Sequence, residues 1–313
     1  MSGHHPHPPA ACAFFRLAHP WRTSLQLAGL PEIASGSFSF AVLGDVEPCR
    51  FRIGRLLFNR PRVFAHQLRC IQAQPVTFCV QLGDMVSRGS EHYYRRFLED
   101  LHDLEVKKPY LTVIGNHDRS RPNGPSHARM YRRIFGRSNY RFDYGGVRFI
   151  TVDTSARGLR PSQLRWLSRA LDTDLRKVVF THMPPVQLNL WGGSFAHAHG
   201  GFSRGAREFT EMMAAAGVAR VYAGHVHAFG VQDYLGVRYV LTGGGGSALF
   251  PSGAADRFHH YLTVSVTPHG LRESVHPLDG RPFHIPEAKV ILPHVPTHWL
   301  ARVLGSILVW WLG

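Results

Sequence analysis

Acidic residues are scarce: 21 Asp and Glu stand against 36 Lys and Arg, so the 313-residue chain has a formal net charge of +15. Such a surplus disfavours cationic partners. It favours phosphorylated substrates, nucleic acid or acidic lipid headgroups, and charge alone does not choose among these. Cysteine is rarer still. Cys12, Cys49, Cys70 and Cys79 show neither a C-x-x-C pair nor zinc-ribbon spacing, which argues against a structural zinc site. Buried free thiols in a reducing, cytoplasmic setting are the expectation. No internal repeat and no Pro- or Ser-rich linker divides the chain. At the start, "MSGHHPHPPAACAFF" lacks the charged stretch and sustained apolar run of a cleaved signal peptide.

What is present is apolar enough for a substantial core, with 44% hydrophobic residues. Six β-branched runs recur, each followed by a polar or glycine turn: "FSFAVLGD" (38–45), "VTFCVQLGD" (76–84), "YLTVIGNHD" (110–118), "VRFITVD" (147–153), "KVVFTHMPP" (177–185) and "VARVYAGHVH" (218–227). They read as strands buried on both faces. Segments of helical period lie between several of them, near 53–73, 91–104, 161–171 and 203–217, so a mostly parallel α/β core is expected. After residue 228 the pattern changes to hairpin strands. The division expected is a flexible tail over 1–35, one domain over 36–280 and a C-terminal extension over 281–313. In that extension Leu300, Val303, Leu304, Ile307, Leu308 and Trp311 fall on one helical face. The segment 299–313 is too short to span a bilayer. It reads either as an interfacial helix making peripheral membrane contact or as a terminal helix packed on the domain or on a second copy.

In an open α/β sheet, ligands sit beyond the carboxyl ends of the strands. The residues there are Asp45 and Glu47, then Asp84, Asn116 with His117, His182, and His225 with His227. Singly, an Asp or Asn in such a place caps a turn, and a lone His is a satisfied surface or core residue. Together they form a donor set of carboxylate and carbonyl oxygens and imidazoles, suited to Mn²⁺, Fe²⁺ or Zn²⁺. Glycine precedes four of them, at Gly44, Gly83, Gly115 and Gly224. Each permits a sharp turn.

The ordered motifs "GDVE", "GDMVSRG", "GNHD", "THMPP" and "GHVH", spread over residues 38–227, resemble those of the calcineurin-like metallophosphoesterases. The resemblance implies a four-layer α-β-β-α sandwich. It implies a phosphodiester, phosphoanhydride or phosphomonoester hydrolase in which two divalent ions, Mn²⁺ or Fe²⁺ with Zn²⁺ or Mg²⁺ as alternatives, activate a bridging water. Asp45 and His227 would hold one ion, Asn116, His182 and His225 the other, and Asp84 would bridge them. His117 would protonate the leaving oxygen, and Arg88 would clamp phosphate. The substrate class implied is a phosphorylated small molecule or lipid.

Two positions depart from the family pattern. Glu47 stands where histidine is usual. As a ligand it would make the site harder and less positive, favouring Mn²⁺, Fe²⁺ or Mg²⁺; turned away, it would leave the first ion weakly held. Ser87 stands where an acid pairs with the catalytic histidine in protein phosphatases, so His117 must be oriented by the backbone, Asp118 or Asp153. Gly243–Gly246 lack the Lys and Ser/Thr of a P-loop and read as a flexible turn lining the cleft. Residues 189–201, with Trp191, His197 and His199, read as a lid or a mobile loop. Arg119 and Arg121 would steer anions. The rival reading is a catalytically impaired protein of this fold that binds nucleic acid or anionic lipid.

Overall fold

A computed structural model describes residues 10–33, 36–48, 60, 62–122, 126–188, 200–249 and 256–285. Each of the six apolar runs contains a strand: β1 (Phe38–Leu43), β2 (Cys79–Gln81), β3 (Tyr110–Thr112), β5 (Val147–Val152), β6 (Arg176–Thr181) and β7 (Arg220–Ala223). A further strand, β4 (Tyr140–Tyr144), forms a hairpin with β5, and the later strands are β8 (Phe229–Tyr234), β9 (Val237–Thr242), β10 (His260–Thr267), β11 (Gly270–Pro277) and β12 (Phe283–His284). They make two six-stranded sheets, ordered β12-β11-β10-β1-β2-β3 and β4-β5-β6-β7-β9-β8. Strands β1, β2 and β3 run parallel in the first, and β5, β6, β7 and β9 in the second. The expectation of antiparallel hairpins after residue 228 therefore needs one amendment. Strand β9 pairs antiparallel with β8 but also extends the parallel set beside β7.

Period-two alternation sorts side chains into layers. In β1, Phe40 and Val42 face the second sheet, where they join Phe149, Phe180, Tyr222 and Val240. Ala41 and Leu43 face outward, under helices α3 (Val63–Ala73), α4 (Glu91–Asp103) and α5 (Arg129–Ile134). The outer face of the second sheet is covered by α6 (Pro161–Leu171) and α7 (Ala206–Ala215). The result is the four-layer α-β-β-α sandwich. Between the sheets, Phe40 stacks on Phe78 at 5.2 Å and meets Phe149 edge-on at 5.4 Å.

The N-terminal segment corrects the expectation of a flexible tail. Residues Ala10–Ala18 form helix α1, His19–Trp21 a 3-10 turn and Thr23–Ala28 helix α2. The reason is burial: Phe14 and Trp21 enter the core beneath the first sheet's helices, and Arg95 and Arg133 lie over the rings of Phe14 and Phe15 at 5.1 and 4.5 Å. At the other boundary the first sheet continues past residue 280, through β12 to the buried Ile285. Cys70 and Cys79 are free thiols, Cys79 fully buried. The segment 299–313, the loop residues Trp191, His197 and His199, and Cys12's and Cys49's side chains lie outside what is described. Among the described residues no helix is long and apolar enough to cross a membrane.

Candidate metal centre

The polar residues converge because both sheets point the carboxyl ends of their parallel strands the same way. The first sheet delivers Asp45 after β1, Asp84 after β2, and Asn116, His117 and Asp118 after β3; the second delivers His182 after β6 and His225 and His227 after β7. Asp45, Asp84, Asn116, His117 and His182 are buried, and His225 and His227 partly so. Asp84, His182 and His225 each offer a ligand atom within 4.8 Å of the others'. His182 Nε2 lies 3.2 Å from Asp84 Oδ2 and 3.0 Å from Asn116 Oδ1. Asp45 Oδ1 lies 3.8 Å from both His182 Nδ1 and His227 Nε2.

Two imidazoles are aimed by main-chain carbonyls. His182 Nδ1 donates to Leu82 O at 2.8 Å, and His227 Nδ1 to Ala248 O at 2.7 Å, so in each neutral ring Nε2 carries the lone pair and faces the carboxylates. The carboxylates are aimed by main-chain N–H groups. Asp45 accepts from His225 N at 2.9 Å, and Asp84 from His117 N at 2.9 Å. Close packing needs the preceding glycines: a Cβ on Gly115 would lie 2.0 Å from Asp84 Oδ1. Asp84 and His225 themselves adopt positive φ, 48° and 69°, a strained conformation for residues with side chains.

Electrostatics fit a bound cation. Burial pushes the Asp45 carboxyl up to about 8, against the pull of His182 and helped by Asp84. Burial also opposes the charge of Asp84, but His182 and His117 outweigh it and hold this carboxyl well below its ordinary value. His182 would be depressed by burial, yet Asp84 reverses that and lifts it to about 9. Burial depresses His227 to about 4, so it is the neutral imidazole a metal needs. Two buried carboxylates packed against imidazoles suit a divalent ion, and the donor set fits one.

His117 is oriented by the backbone: Nδ1 lies 3.3 Å from Ser87 O, which accepts its proton and leaves Nε2 for the cleft. Asp118 instead accepts from Gly115 N and Met85 N and so fixes the turn, while Asp153 accepts from Ser155. Burial works against a charged His117, but Asp84 and then Glu47 outweigh it and raise its pKa. Glu47 is thus buried close enough to His117 for its charge to act there. Arg88 is exposed, its Nε donating to Ser120 O at 2.9 Å. Arg119 is half-buried and donates to Ser126 Oγ, Ser126 O and Ser155 Oγ. The glycine run is not a flexible turn. It is buried, Ser247 N donates to Asp45 O at 3.1 Å, and a Cβ on Gly245 would meet Gly44 O at 2.5 Å.

One charged neighbour of the site was missed by sequence reasoning. Arg157, on the loop after β5, is half-buried in the field of Asp84. The signal that pointed to the other residues, a polar group directly following an apolar run, passes over it.

The family model described as calcineurin-like phosphoesterase matches residues 38–229. No curated protein sequence matches significantly. Among solved structures, the chain resembles a purple acid phosphatase from yellow lupin (Lupinus luteus) seeds, with a TM-score of 0.64 and 16% identity over 80% of this chain and 53% of that one. It thus spans about half of that protein's chain. It also resembles the anchor of the inner membrane complex of Plasmodium, with a TM-score of 0.52 and 14% identity over 88% of this chain and 95% of that one. At these identities both likenesses establish the fold.

Proposed function

The chain belongs to the calcineurin-like phosphoesterase family, whose members are metal-dependent phosphoester hydrolases, and from that premise we propose that it is a two-metal hydrolase of phosphodiesters. The observation that carries this reading is the placement of Asp84. Its carboxylate faces His182 and the nearby His225 on one side and receives the His117 N–H on the other, while Asp45 and His227 form a second group alongside. Asp45, His227 and Glu47 would hold one ion, Asn116, His182 and His225 the other, with Asp84 shared. Bound ions would supply Lewis acidity, neutralising phosphoryl oxygens and lowering the pKa of water. His117, whose pKa Asp84 and Glu47 raise against burial, would give a proton from Nε2 to the leaving oxygen.

Glu47 bears on the substrate. A carboxylate in place of a neutral imidazole lowers the positive charge facing the phosphoryl group. A diester carries one negative charge and a monoester about two, so the monoester loses more of its attraction. The same oxygen favours Mn²⁺, Fe²⁺ or Mg²⁺ over Zn²⁺. The test is elemental analysis after purification with Mn²⁺ or Fe²⁺, followed by hydrolysis of bis(p-nitrophenyl) phosphate and p-nitrophenyl phosphate. The expected result is near two ions per chain, falling towards one in Glu47→Ala, with the diester cleaved faster. One ion or none in the unaltered chain would overturn the two-metal reading. Absence of both metal and hydrolysis would instead favour the impaired, lipid- or nucleic-acid-binding protein, a reading that the net charge of +15 supports.

A further inference from the structure

The loops at the metal-centre end of the sandwich sort their charges by depth. Every carboxylate described there is buried: Asp45, Glu47, Asp84, Asp118, Asp153 and Asp256. The exposed charges are arginines: Arg88 after β2, Arg121 after β3, Arg160 after β5 and Arg204 ahead of α7. The helices leaving these loops add two acids in their first turns, Glu91 and Glu208, and Glu91 is paired with Arg95. At the opposite end the signs are mixed, with Glu105, Asp172 and Asp174 set against Lys107, Lys108 and Arg176. Hydrogen bonds join the arginine-bearing loops into one row. Arg88 Nε donates to Ser120 O at 2.9 Å, one residue from Arg121. Arg119 Nη1 donates to Ser155 Oγ at 3.1 Å, tying the loop after β3 to the loop after β5. That loop pairs with the next: Gly158 bridges to Arg204, and Leu159 N, one residue before Arg160, donates to Arg204 O at 2.8 Å. A Cβ on Gly158 would lie 3.2 Å from Arg204 Nε, so this guanidinium lies across the backbone there. The row passes the metal centre. Met85 N donates to Asp118, beside His117, at 3.0 Å, and Thr154 Oγ accepts from Met183 N, the residue after His182, at 2.9 Å.

Four exposed arginines on adjoining loops form an array wider than one phosphoryl group. Among the described residues none of the four is in an ion pair. No exposed acid stands in these loops to repel a polyanion, and each planar guanidinium matches two oxygens of a phosphate. We propose that this end binds the sugar-phosphate backbone of a nucleic acid strand, the arginines gripping the neighbours of the one diester that enters the metal centre. A lipid surface shares the phosphate chemistry but is held by apolar side chains as well. The exposed large apolar residues described, Leu25, Leu235 and Phe283, lie in α2, in the turn between β8 and β9 and in β12, and none lies in these loops. Entry of a diester into the centre rests on the hydrolase reading above; the surface itself does not.

The experiment follows binding of a labelled single-stranded oligo(dT) to the metal-loaded full chain by stopped-flow anisotropy, which reads binding ahead of any cleavage, over a series of salt concentrations. Two triple variants remove the same charge from different places. One is Arg121→Gln with Arg160→Gln and Arg204→Gln; the other is Lys107→Gln with Lys108→Gln and Arg169→Gln, towards the opposite end. The first should bind at least about tenfold more weakly and lose about 2 from the slope of log affinity against log salt, at about 0.7 per phosphate contact. The second should stay within about threefold of wild type, because charges beyond a Debye length are screened. Equal weakening in the two triples, or no binding by the wild type, would overturn the proposal. So would a first triple that keeps the oligonucleotide but releases the chain from phosphatidylserine vesicles, which would make the surface a lipid site. If that triple does not fold, Arg121→Gln against Lys107→Gln decides: a slope lower by about 0.7 in the former alone supports the proposal, and equal slopes sink it. A wild type that binds the strand but cuts neither it nor bis(p-nitrophenyl) phosphate supports the surface and sinks the hydrolase reading. One that cuts bis(p-nitrophenyl) phosphate without binding the strand sinks this proposal alone.

Discussion

At the scale of single residues, the centre of the site is a set of protons waiting to be displaced. In the metal-free chain at neutral pH, His182 and Asp45 both hold a proton, because their pKa values are lifted to about 9 and about 8. A divalent ion must expel these protons to reach Nε2 and the carboxylate. Proton and metal compete, so metal affinity should rise with pH up to about 8 to 9 and fall as pH drops below 7. The slope is on the order of tenfold per pH unit for each proton displaced. Calorimetric titration of Mn²⁺ in buffers of differing ionisation enthalpy would count the released protons, and an affinity flat from pH 6 to 8 would contradict the assignment. The meeting of Asp45, Asp84, Asn116, His182, His225 and His227 was legible because each ends an apolar run behind a turn. What aims them was not legible. Leu82, Ala248 and Ser87 act through main-chain carbonyls, which every residue owns, so no side chain in the sequence marks them.

At the scale of elements, legibility followed burial. Strands buried on both faces read as unbroken apolar runs, and those six were visible. Strand β4 was not, because it lies at a sheet edge and alternates half-buried aromatics with exposed Arg141 and Asp143. Helices α1 and α2 were hidden for another reason: a segment opening in histidine and proline has the composition of a solvated tail, and only the partner surface reveals where Phe14 and Trp21 go. This segment is part of the fold and not an appendage. Thr23 N donates to Phe135 O at 2.9 Å, and Gln26 Oε1 accepts from Tyr110 N, at the start of β3. Phe14→Ala should therefore lower unfolding free energy by about 3 to 5 kcal/mol in denaturant titration, as for other buried aromatics cut to alanine. A loss under about 1 kcal/mol would mean that the helix is only laid on the surface.

At the scale of the molecule, the two sheets are joined by more than apolar packing. Arg220, at the start of β7, donates through Nε to Glu273 Oε1 of β11 at 2.6 Å, and Tyr222 donates to the same oxygen at 2.9 Å. Glu273 is 2% exposed, so removing its carboxylate strands a guanidinium and a phenol in the interior. Glu273→Ala should cost about 3 to 5 kcal/mol in unfolding free energy, whereas Glu91→Ala, which breaks a half-buried surface pair with Arg95, should cost under about 1 kcal/mol. Paired melts of the two variants would show the contrast, and equal losses would refute it. The opposite end of β7 holds His225 and His227, so sheet-to-sheet contacts fall at both ends of that strand. One of them has a particular consequence. The hydrogen bond from His182 to Leu82 O runs from one sheet to the other, so the tautomer of a metal-facing imidazole is set by how the halves of the sandwich are aligned. Once the ring has given up its extra proton, a chain closed out of register would deny Nδ1 its acceptor, letting the remaining proton move to Nε2 and turn an electron-pair donor into an obstacle. Errors of assembly would be reported as failure to capture the ion, which makes the metal a proofreader of the fold that holds it.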